Sequence, residues 1–228
     1  MPERVSPYRR INMFLKTLCL LFALSCTALV SNAAPSGARE RKVVAGTDYQ
    51  VLASGKKSMA AKNGKVEVIE FFYFGCQACM RMDPALQAWA KRNSAFVSVR
   101  RIPVVFSHRL EGHAFLYGAL EHLKLEALAT PAVFEEVLVN RNYLLTSRSQ
   151  SEFVKRFGVS DDVFQKALQA PQTTAAVAEY ARLANQYKIE AVPAVVFNGN
   201  ELVTVGTTPE RTAEVLDYLL SKSKRGGR

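Results

Sequence analysis

Two cysteines three positions apart, Cys76 and Cys79, are the residues whose type and spacing best suit chemistry. They follow an apolar, aromatic run that stops at Gly75, and they open a segment with a helical pattern. A helix N-terminus stabilises a thiolate, because its unpaired N–H groups and its dipole favour negative charge. Thiolate performs disulfide exchange, so the pair indicates redox chemistry that starts at Cys76.

A structural disulfide and half of a metal site are the plainer interpretations of a cysteine pair. A domain stabilised by structural disulfides would carry more cysteines at wider spacing, and a zinc site would need two further ligands. His108 and His113 are the closely spaced candidates, and they would have to fold back onto the cysteines from the end of a neighbouring strand. We therefore expect no metal and no other cofactor.

The first 33 residues have the pattern of a secretory signal peptide. A basic start is followed by an apolar stretch at about 17–30, shorter than a spanning helix, and by the small-x-small sequence Ser31-Asn32-Ala33. Cleavage there would remove Cys19 and Cys26 and leave the C-x-x-C pair alone in an export compartment, where disulfides persist. We expect a periplasmic protein; an uncleaved anchor and a lipid on Cys26 are the alternatives.

The charge pattern argues against a nucleic-acid partner. The formal net charge is +10, and it becomes +7 without the first 33 residues, which carry four basic residues and one acidic residue. The remaining basic residues are scattered among acids, whereas a nucleic-acid interface would cluster them with aromatic residues. A basic surface still suits acidic substrates or an anionic membrane surface.

The pattern around the cysteines predicts a β-α-β unit. Residues 66–74 are almost continuously apolar, as in a central buried strand. A helix is predicted from Gln77 to about Lys91, and a second strand over 96–106. A strand, a helix and a strand at this spacing form such a unit.

The rest of the chain predicts a helical insertion and a second half. Residues 111–187 have helical patterns, with one helix over 111–126 and another that begins at Pro131. An Asn198-Gly199 turn between apolar runs predicts a β-hairpin, and a last helix opens near Pro209. We place an N-terminal linker at 34–48, one domain at 49–222 and a basic disordered tail at 223–228.

The C-x-x-C motif at a strand-to-helix junction, followed much later by Val192-Pro193-Ala194 before a hairpin and a helix, resembles the thioredoxin fold. The insertion at about 111–187 narrows the resemblance to the DsbA-like thiol:disulfide oxidoreductases. Its specific parts are Glu70 six residues before Cys76, the C-x-x-C motif itself and residues 187–195. It implies an α/β thioredoxin fold, β-α-β then β-β-α, with an inserted helical subdomain.

The resemblance also implies roles for single residues. Cys76 corresponds to the exposed nucleophile and Cys79 to its buried disulfide partner. Glu70 corresponds to an acid whose burial would raise its pKa and suit it to exchange a proton with Cys79. Pro193 corresponds to a loop proline held in cis opposite the cysteines, which exposes the backbone of Val192 to an extended substrate.

Two of these roles have structural alternatives, and one position departs from the family. Glu70 could instead face solvent, and Pro193 could merely start an edge strand. The dipeptide between the cysteines is Gln77-Ala78, where typical members have Pro-His. Those residues help to stabilise the thiolate, so we expect a weaker oxidant. We also expect Gln77 and Ala78 to contact substrate.

The implied function is that of a periplasmic thiol:disulfide oxidoreductase. It would introduce disulfides into unfolded exported proteins with free cysteines, be re-oxidised by a DsbB-like membrane oxidase, and act as a monomer. A specialised reductase or isomerase, suggested by Gln77-Ala78, is the nearer alternative. A non-enzymatic peptide-binding or zinc-binding module is the more distant one.

Overall fold

Five strands form one mixed sheet in the computed structural model of the chain, which describes residues 41–52, 64–203 and 206–226. The strands are β1 (Tyr49–Val51), β2 (Val66–Phe72), β3 (Val97–Pro103), β4 (Ala194–Phe197) and β5 (Glu201–Val203). Their order is β1-β5-β4-β2-β3, in which β2 and β3 run parallel and the other neighbours antiparallel. The predicted signal peptide, with Cys19 and Cys26, lies outside the described residues.

Seven helices accompany this sheet in the described part of the chain. They are α1 (Gln77–Arg92), α2 (Glu111–His122), α3 (Glu126–Leu138), α4 (Ser147–Val154), α5 (Asp161–Gln169), α6 (Pro171–Gln186) and α7 (Pro209–Gly226). Helix α1 connects β2 to β3, helices α2 to α6 lie between β3 and β4, and α7 follows β5. This order confirms the predicted thioredoxin fold with a helical insertion. Among these helices, none combines the length and the apolar character that crossing a membrane requires.

One apolar core lies between the sheet and helices α1 and α7. Val68 of β2 and Phe197 of β4 are register partners, and both side chains are buried in this core. Trp89 of α1 is fully buried beside them, and its indole N–H donates to Asp217 Oδ1 of α7 at 2.7 Å. These contacts fix α1, and with it the cysteine pair at its start, against the sheet.

A second core joins the sheet to the inserted helices. Phe72 and Phe74 are buried, and their rings pack edge to face with centroids 5.0 Å apart. Both rings also pack against Tyr117 of α2 and Phe134 of α3. Phe74 lies two residues before Cys76, so the insertion anchors the segment that leads into α1.

The inserted helices begin and end at residues other than those predicted. We predicted one helix over 111–126 and a new one at Pro131, but α2 ends at His122 and Pro131 lies inside α3. The chain turns at Lys124, whose φ of 58° is in the left-handed region. Glycine is the usual residue in such a turn, so this boundary has no local sign in the sequence.

Two predicted segment boundaries are also wrong. The segment 223–228, predicted as a disordered tail, is helical as far as Gly226, and Lys224 Nζ lies over the Phe96 ring at 3.3 Å from its centroid. The end of the predicted linker 34–48 belongs to the domain. Asp48 is buried, and its Oδ2 lies 2.9 Å from Nη2 of Arg211 in α7. An ion pair across such a distance in sequence has no local signature.

Candidate active site

Cys76 and Cys79 are joined by a disulfide at the start of α1. Cys76 is the N-cap residue of the helix, Cys79 lies in its first turn, and their Cα atoms are 5.2 Å apart. The backbone N–H of Cys79 donates to Cys76 Sγ at 3.0 Å. Cys76 is partly exposed, whereas Cys79 is fully buried. One sulfur of the bond is therefore open to an incoming thiolate, and the other is not.

A tight turn brings the chain from β2 into α1. The N–H of Cys76 donates to the carbonyl oxygen of Tyr73 at 3.0 Å, which closes the turn over Phe74 and Gly75. Phe74 is fully buried and holds this turn in place. A Cβ at Gly75 would overlap the hydroxyl end of the Tyr73 side chain, so glycine leaves room for that ring.

The loop before β4 lies against the disulfide. Its Val192–Pro193 peptide bond is cis, as the sequence predicts. Ala194, the first residue of β4, is the register partner of Phe71 in β2, and this pairing brings the loop to the end of β2 that leads into α1. The carbonyl oxygen of Val192 therefore lies 3.8 Å from Cys76 Sγ.

A buried acid lies beneath helix α1. Glu70 of β2 is 1% exposed, and its charged neighbours are Arg101, its register partner on β3, and Asp83 on α1. Burial raises the pKa of Glu70 to about 8; the negative charge of Asp83 adds to the rise, and Arg101 opposes it. At neutral pH this carboxyl group therefore holds a proton.

Arg101 pairs with Asp83 rather than with Glu70. Its Nη2 lies 2.5 Å from Asp83 Oδ1, whereas its Nε lies 3.6 Å from Glu70 Oε2, beyond hydrogen-bond distance. Glu70 Oε2 accepts no hydrogen bond from the described residues. Arg101 thus hydrogen-bonds to Asp83, and Glu70 is left as a buried acid that has a guanidinium group beside it but no hydrogen bond from that group.

Comparison with known proteins shows to which family this chain belongs. The family model described as Thioredoxin matches residues 55–218 of this chain. The thiol:disulfide interchange protein DsbA of Burkholderia cepacia is 33% identical over 205 residues, which cover 89% of this chain and 94% of that protein. The chain belongs to the DsbA family of thiol:disulfide interchange proteins.

Solved structures of DsbA proteins agree with this membership. Crystal structures of DsbA from Pseudomonas aeruginosa and from Xylella fastidiosa match with TM-scores of 0.75 and 0.73, at 27% and 28% identity. Each match covers 81% of this chain, together with 96% and 98% of the respective structure. The protein is a thiol:disulfide oxidoreductase, and its Cys76–Cys79 pair fits a C-x-x-C active site.

The predicted substrate-contacting residues of this DsbA-family chain lie around the disulfide. Gln77 is exposed and Ala78 is partly exposed, and both lie in the first turn of α1 between the cysteines. Val192 is partly buried and Pro193 is buried, and the carbonyl oxygen of Val192 lies next to Cys76 Sγ. The accessible sulfur is thus flanked by the α1 dipeptide and by the loop before β4.

The two histidines considered as zinc ligands have other partners. His108 is exposed, and its Nδ1 lies 2.9 Å from Glu111 Oε2. His113 is buried against the Phe74 ring, and its Nε2 lies 2.6 Å from the carbonyl oxygen of Tyr143. Within residues 41–52, 64–203 and 206–226, no three His, Cys, Asp or Glu side chains are arranged to hold a metal ion. The zinc-binding alternative is not favoured.

Asp83 and Arg101, the two charged neighbours of Glu70, were not predicted from the sequence. Asp83 follows Cys79 by one helical turn, so its place on the buried face of α1 could have been read from the helical period. Arg101 is a buried charge in a strand, but its pairing with Glu70 depends on the β2–β3 register. No local pattern gives that register.

Proposed function

We propose that this protein introduces disulfide bonds into exported proteins by exchange through its Cys76–Cys79 disulfide. The observation that carries the proposal is the asymmetry of that bond, with a partly exposed Cys76 at a helix N-terminus and a fully buried Cys79. A thiolate can attack the exposed sulfur of such a bond, and the buried sulfur is then the leaving group.

Two exchange steps complete the transfer. A substrate thiolate attacks Cys76 Sγ and forms a mixed disulfide, while the Cys76–Cys79 bond breaks and its electron pair leaves with Cys79. A second substrate thiolate then attacks the substrate sulfur of the mixed disulfide, and Cys76 leaves as a thiolate. The substrate loses two electrons, which the reduced cysteine pair holds. The helix N-terminus and the Cys79 N–H, 3.0 Å from Sγ, stabilise the Cys76 thiolate.

Glu70 is the proposed proton relay for Cys79. Cys79 and Asp83 lie one turn apart on the buried face of α1. The charge of Asp83 acts on Glu70, so the carboxyl group of Glu70 lies near this face of the helix. With a pKa of about 8, Glu70 carries a proton at neutral pH and can give it to the leaving Cys79 thiolate. When the pair is re-oxidised, the carboxylate takes the proton back.

The loop before β4 is the proposed place where an extended substrate binds. The backbone of Val192 lies next to Cys76 Sγ, and a substrate strand that pairs with it would bring its own sulfur to the disulfide. Pro193 positions this backbone, and Gln77 and Ala78 contact the substrate from the α1 side.

The proposal includes export and re-oxidation. Residues 1–33 have the pattern of a cleaved signal peptide, which supports a periplasmic location. The reduced pair has to pass two electrons onward before the next turnover. Membership of the DsbA family supports a DsbB-like membrane oxidase as the acceptor.

Stoichiometric oxidation of a reduced, unfolded protein with two cysteines tests the proposal. The oxidised chain without residues 1–33 should convert one equivalent of substrate to its disulfide and become reduced itself. Cys76→Ser and Cys79→Ser should each lose this activity, because neither can form the intramolecular disulfide. Oxidation of substrate by either variant at the wild-type rate would contradict the proposal.

A further inference from the structure

The side-chain amide of Gln87 contacts the charged cluster beneath α1. Gln87 follows Asp83 by one helical turn and is half-buried. The Gln87 amide is assigned with its oxygen toward β3, because the opposite orientation would point its N–H groups at those of Arg101. In this orientation Oε1 accepts from Arg101 Nε at 3.1 Å and from Arg101 Nη2 at 2.8 Å. Gln87 Oε1 therefore binds the two guanidinium nitrogens, Nε and Nη2, that also lie near Glu70 and Asp83.

This contact competes with Glu70 for Arg101. The Nε–H group that Gln87 accepts is the one that lies 3.6 Å from Glu70 Oε2. Nη2 is already held by Asp83 at 2.5 Å. Glu70 Oε2 is left without a hydrogen bond from the described residues, although a guanidinium group lies next to it.

We infer that Gln87 is a positioning residue that holds Arg101 away from Glu70, so that the Glu70 carboxyl group receives no hydrogen bond from the guanidinium group. Its consequence for catalysis rests on the proposed relay role of Glu70. The titratable groups that act on Glu70 are Asp83 from α1, Arg101 from β3 and Tyr117 from α2. On β4 its register partner is the apolar Val195.

Removing the amide should redirect Arg101. A buried N–H without an acceptor is unfavourable, and Glu70 Oε2, which accepts no hydrogen bond from the described residues, already lies 3.6 Å from Nε. A charge-assisted hydrogen bond favours the ionised carboxylate. The pKa of Glu70 would then fall, and a larger fraction of its carboxyl groups would be ionised at neutral pH.

Titration of the Glu70 carboxyl carbon by NMR in the oxidised protein tests the inference. Leucine has a volume similar to that of glutamine and no hydrogen-bond acceptor. Gln87→Leu should therefore lower the titration midpoint of the Glu70 carboxyl group by about one pH unit or more. Gln87→Glu keeps an acceptor for Arg101 and should not lower it. Gln169→Leu makes the same change at an exposed position of α5 and should leave the midpoint unchanged. Gln87→Met repeats the test if the leucine variant does not fold.

The pH profile of substrate oxidation separates this inference from the relay role. If Glu70 is the relay, Gln87→Leu should slow the reaction about threefold near pH 7.5 for a one-unit shift, and should have no further effect in a Glu70→Gln background. A shifted midpoint with an unchanged profile would support Gln87 as the positioning residue and contradict the relay. An unshifted midpoint in Gln87→Leu and Gln87→Met would overturn the inference.

Discussion

The carbonyl oxygen of Val192 lies 3.8 Å from Cys76 Sγ, although the two residues are 116 positions apart in the sequence. The β2–β4 register brings one residue to this place, and the turn before α1 brings the other. A substrate strand paired with the Val192 backbone would therefore lie beside the sulfur that it attacks. Substrate binding and bond exchange share one site in this account.

The two cysteines should differ in reactivity after reduction. Cys76 has the helix N-terminus and the Cys79 N–H to stabilise its thiolate, and it is partly exposed, whereas Cys79 is fully buried. Limited alkylation of the reduced protein at neutral pH, followed by peptide mass spectrometry, should find the label on Cys76 first. Faster labelling of Cys79 would reverse the assignment of the nucleophile.

The dipeptide between the cysteines should tune the reduction potential. Gln77 and Ala78 occupy the first turn of α1, where Pro-His would add stabilisation of the Cys76 thiolate. About 1.4 kcal/mol of stabilisation of the reduced form corresponds to about 30 mV in a two-electron couple. The double variant Gln77→Pro, Ala78→His should therefore have a reduction potential higher by tens of millivolts. Equilibration with glutathione measures this potential. Ala78→Leu, which adds no such interaction, is the control, and an equal rise in both variants would exclude this explanation.

Glu70 should make the stability of the oxidised protein depend on pH. Its pKa is about 8 when folded, against an ordinary value of 4.5, so the folded state holds a proton that the unfolded state loses between these values. Stability should then fall as pH rises through this window. In urea unfolding between about pH 5 and pH 9, the wild-type protein should lose about 4 kcal/mol of unfolding free energy, and Glu70→Gln should not show this loss. Parallel pH profiles for the two proteins would contradict the burial of a protonated Glu70.

The N-terminal segment should be absent from the exported protein. Ser31-Asn32-Ala33 has the small-x-small pattern of a cleavage site, so the mature chain should begin at or near Ala34. Intact-mass spectrometry of protein released from the periplasm should find no Cys19 or Cys26. Ala33→Arg should block cleavage at this site and leave the longer form. Detection of residues 1–33 on the wild-type periplasmic protein would contradict the signal-peptide interpretation.

Local patterns predicted the β-α-β unit and the hairpin, and the resemblance to the DsbA-like family supplied the fold class and the roles of the residues around the disulfide. The apolar run before Gly75, the C-x-x-C motif and the proline before a hairpin each lie in a short segment. The cysteine pair and the proline each had alternatives when taken alone, and the combination favoured a buried strand, a helix N-terminus and a constrained loop. The structure brings these segments together at one end of the sheet.

The features that sequence analysis missed depend on register or on uncommon backbone geometry. Arg101 meets Glu70 through the β2–β3 pairing, and Gln87 meets Arg101 across the space between α1 and β3. The boundary after α2 was missed because Lys124 adopts a left-handed conformation without glycine. The ion pair between Asp48 and Arg211 joins segments far apart in the chain, so the N-terminal limit of the domain was placed too late.

The redox state of Cys76 and Cys79 in living cells decides whether this protein donates disulfides to exported substrates. Rapid acid quenching of cells, alkylation of free thiols with a mass tag and detection of the protein would report that state without purification. A protein that donates disulfides must be kept oxidised, so most molecules should carry the Cys76–Cys79 disulfide and take no tag. A pool found mainly with two tagged cysteines would contradict it.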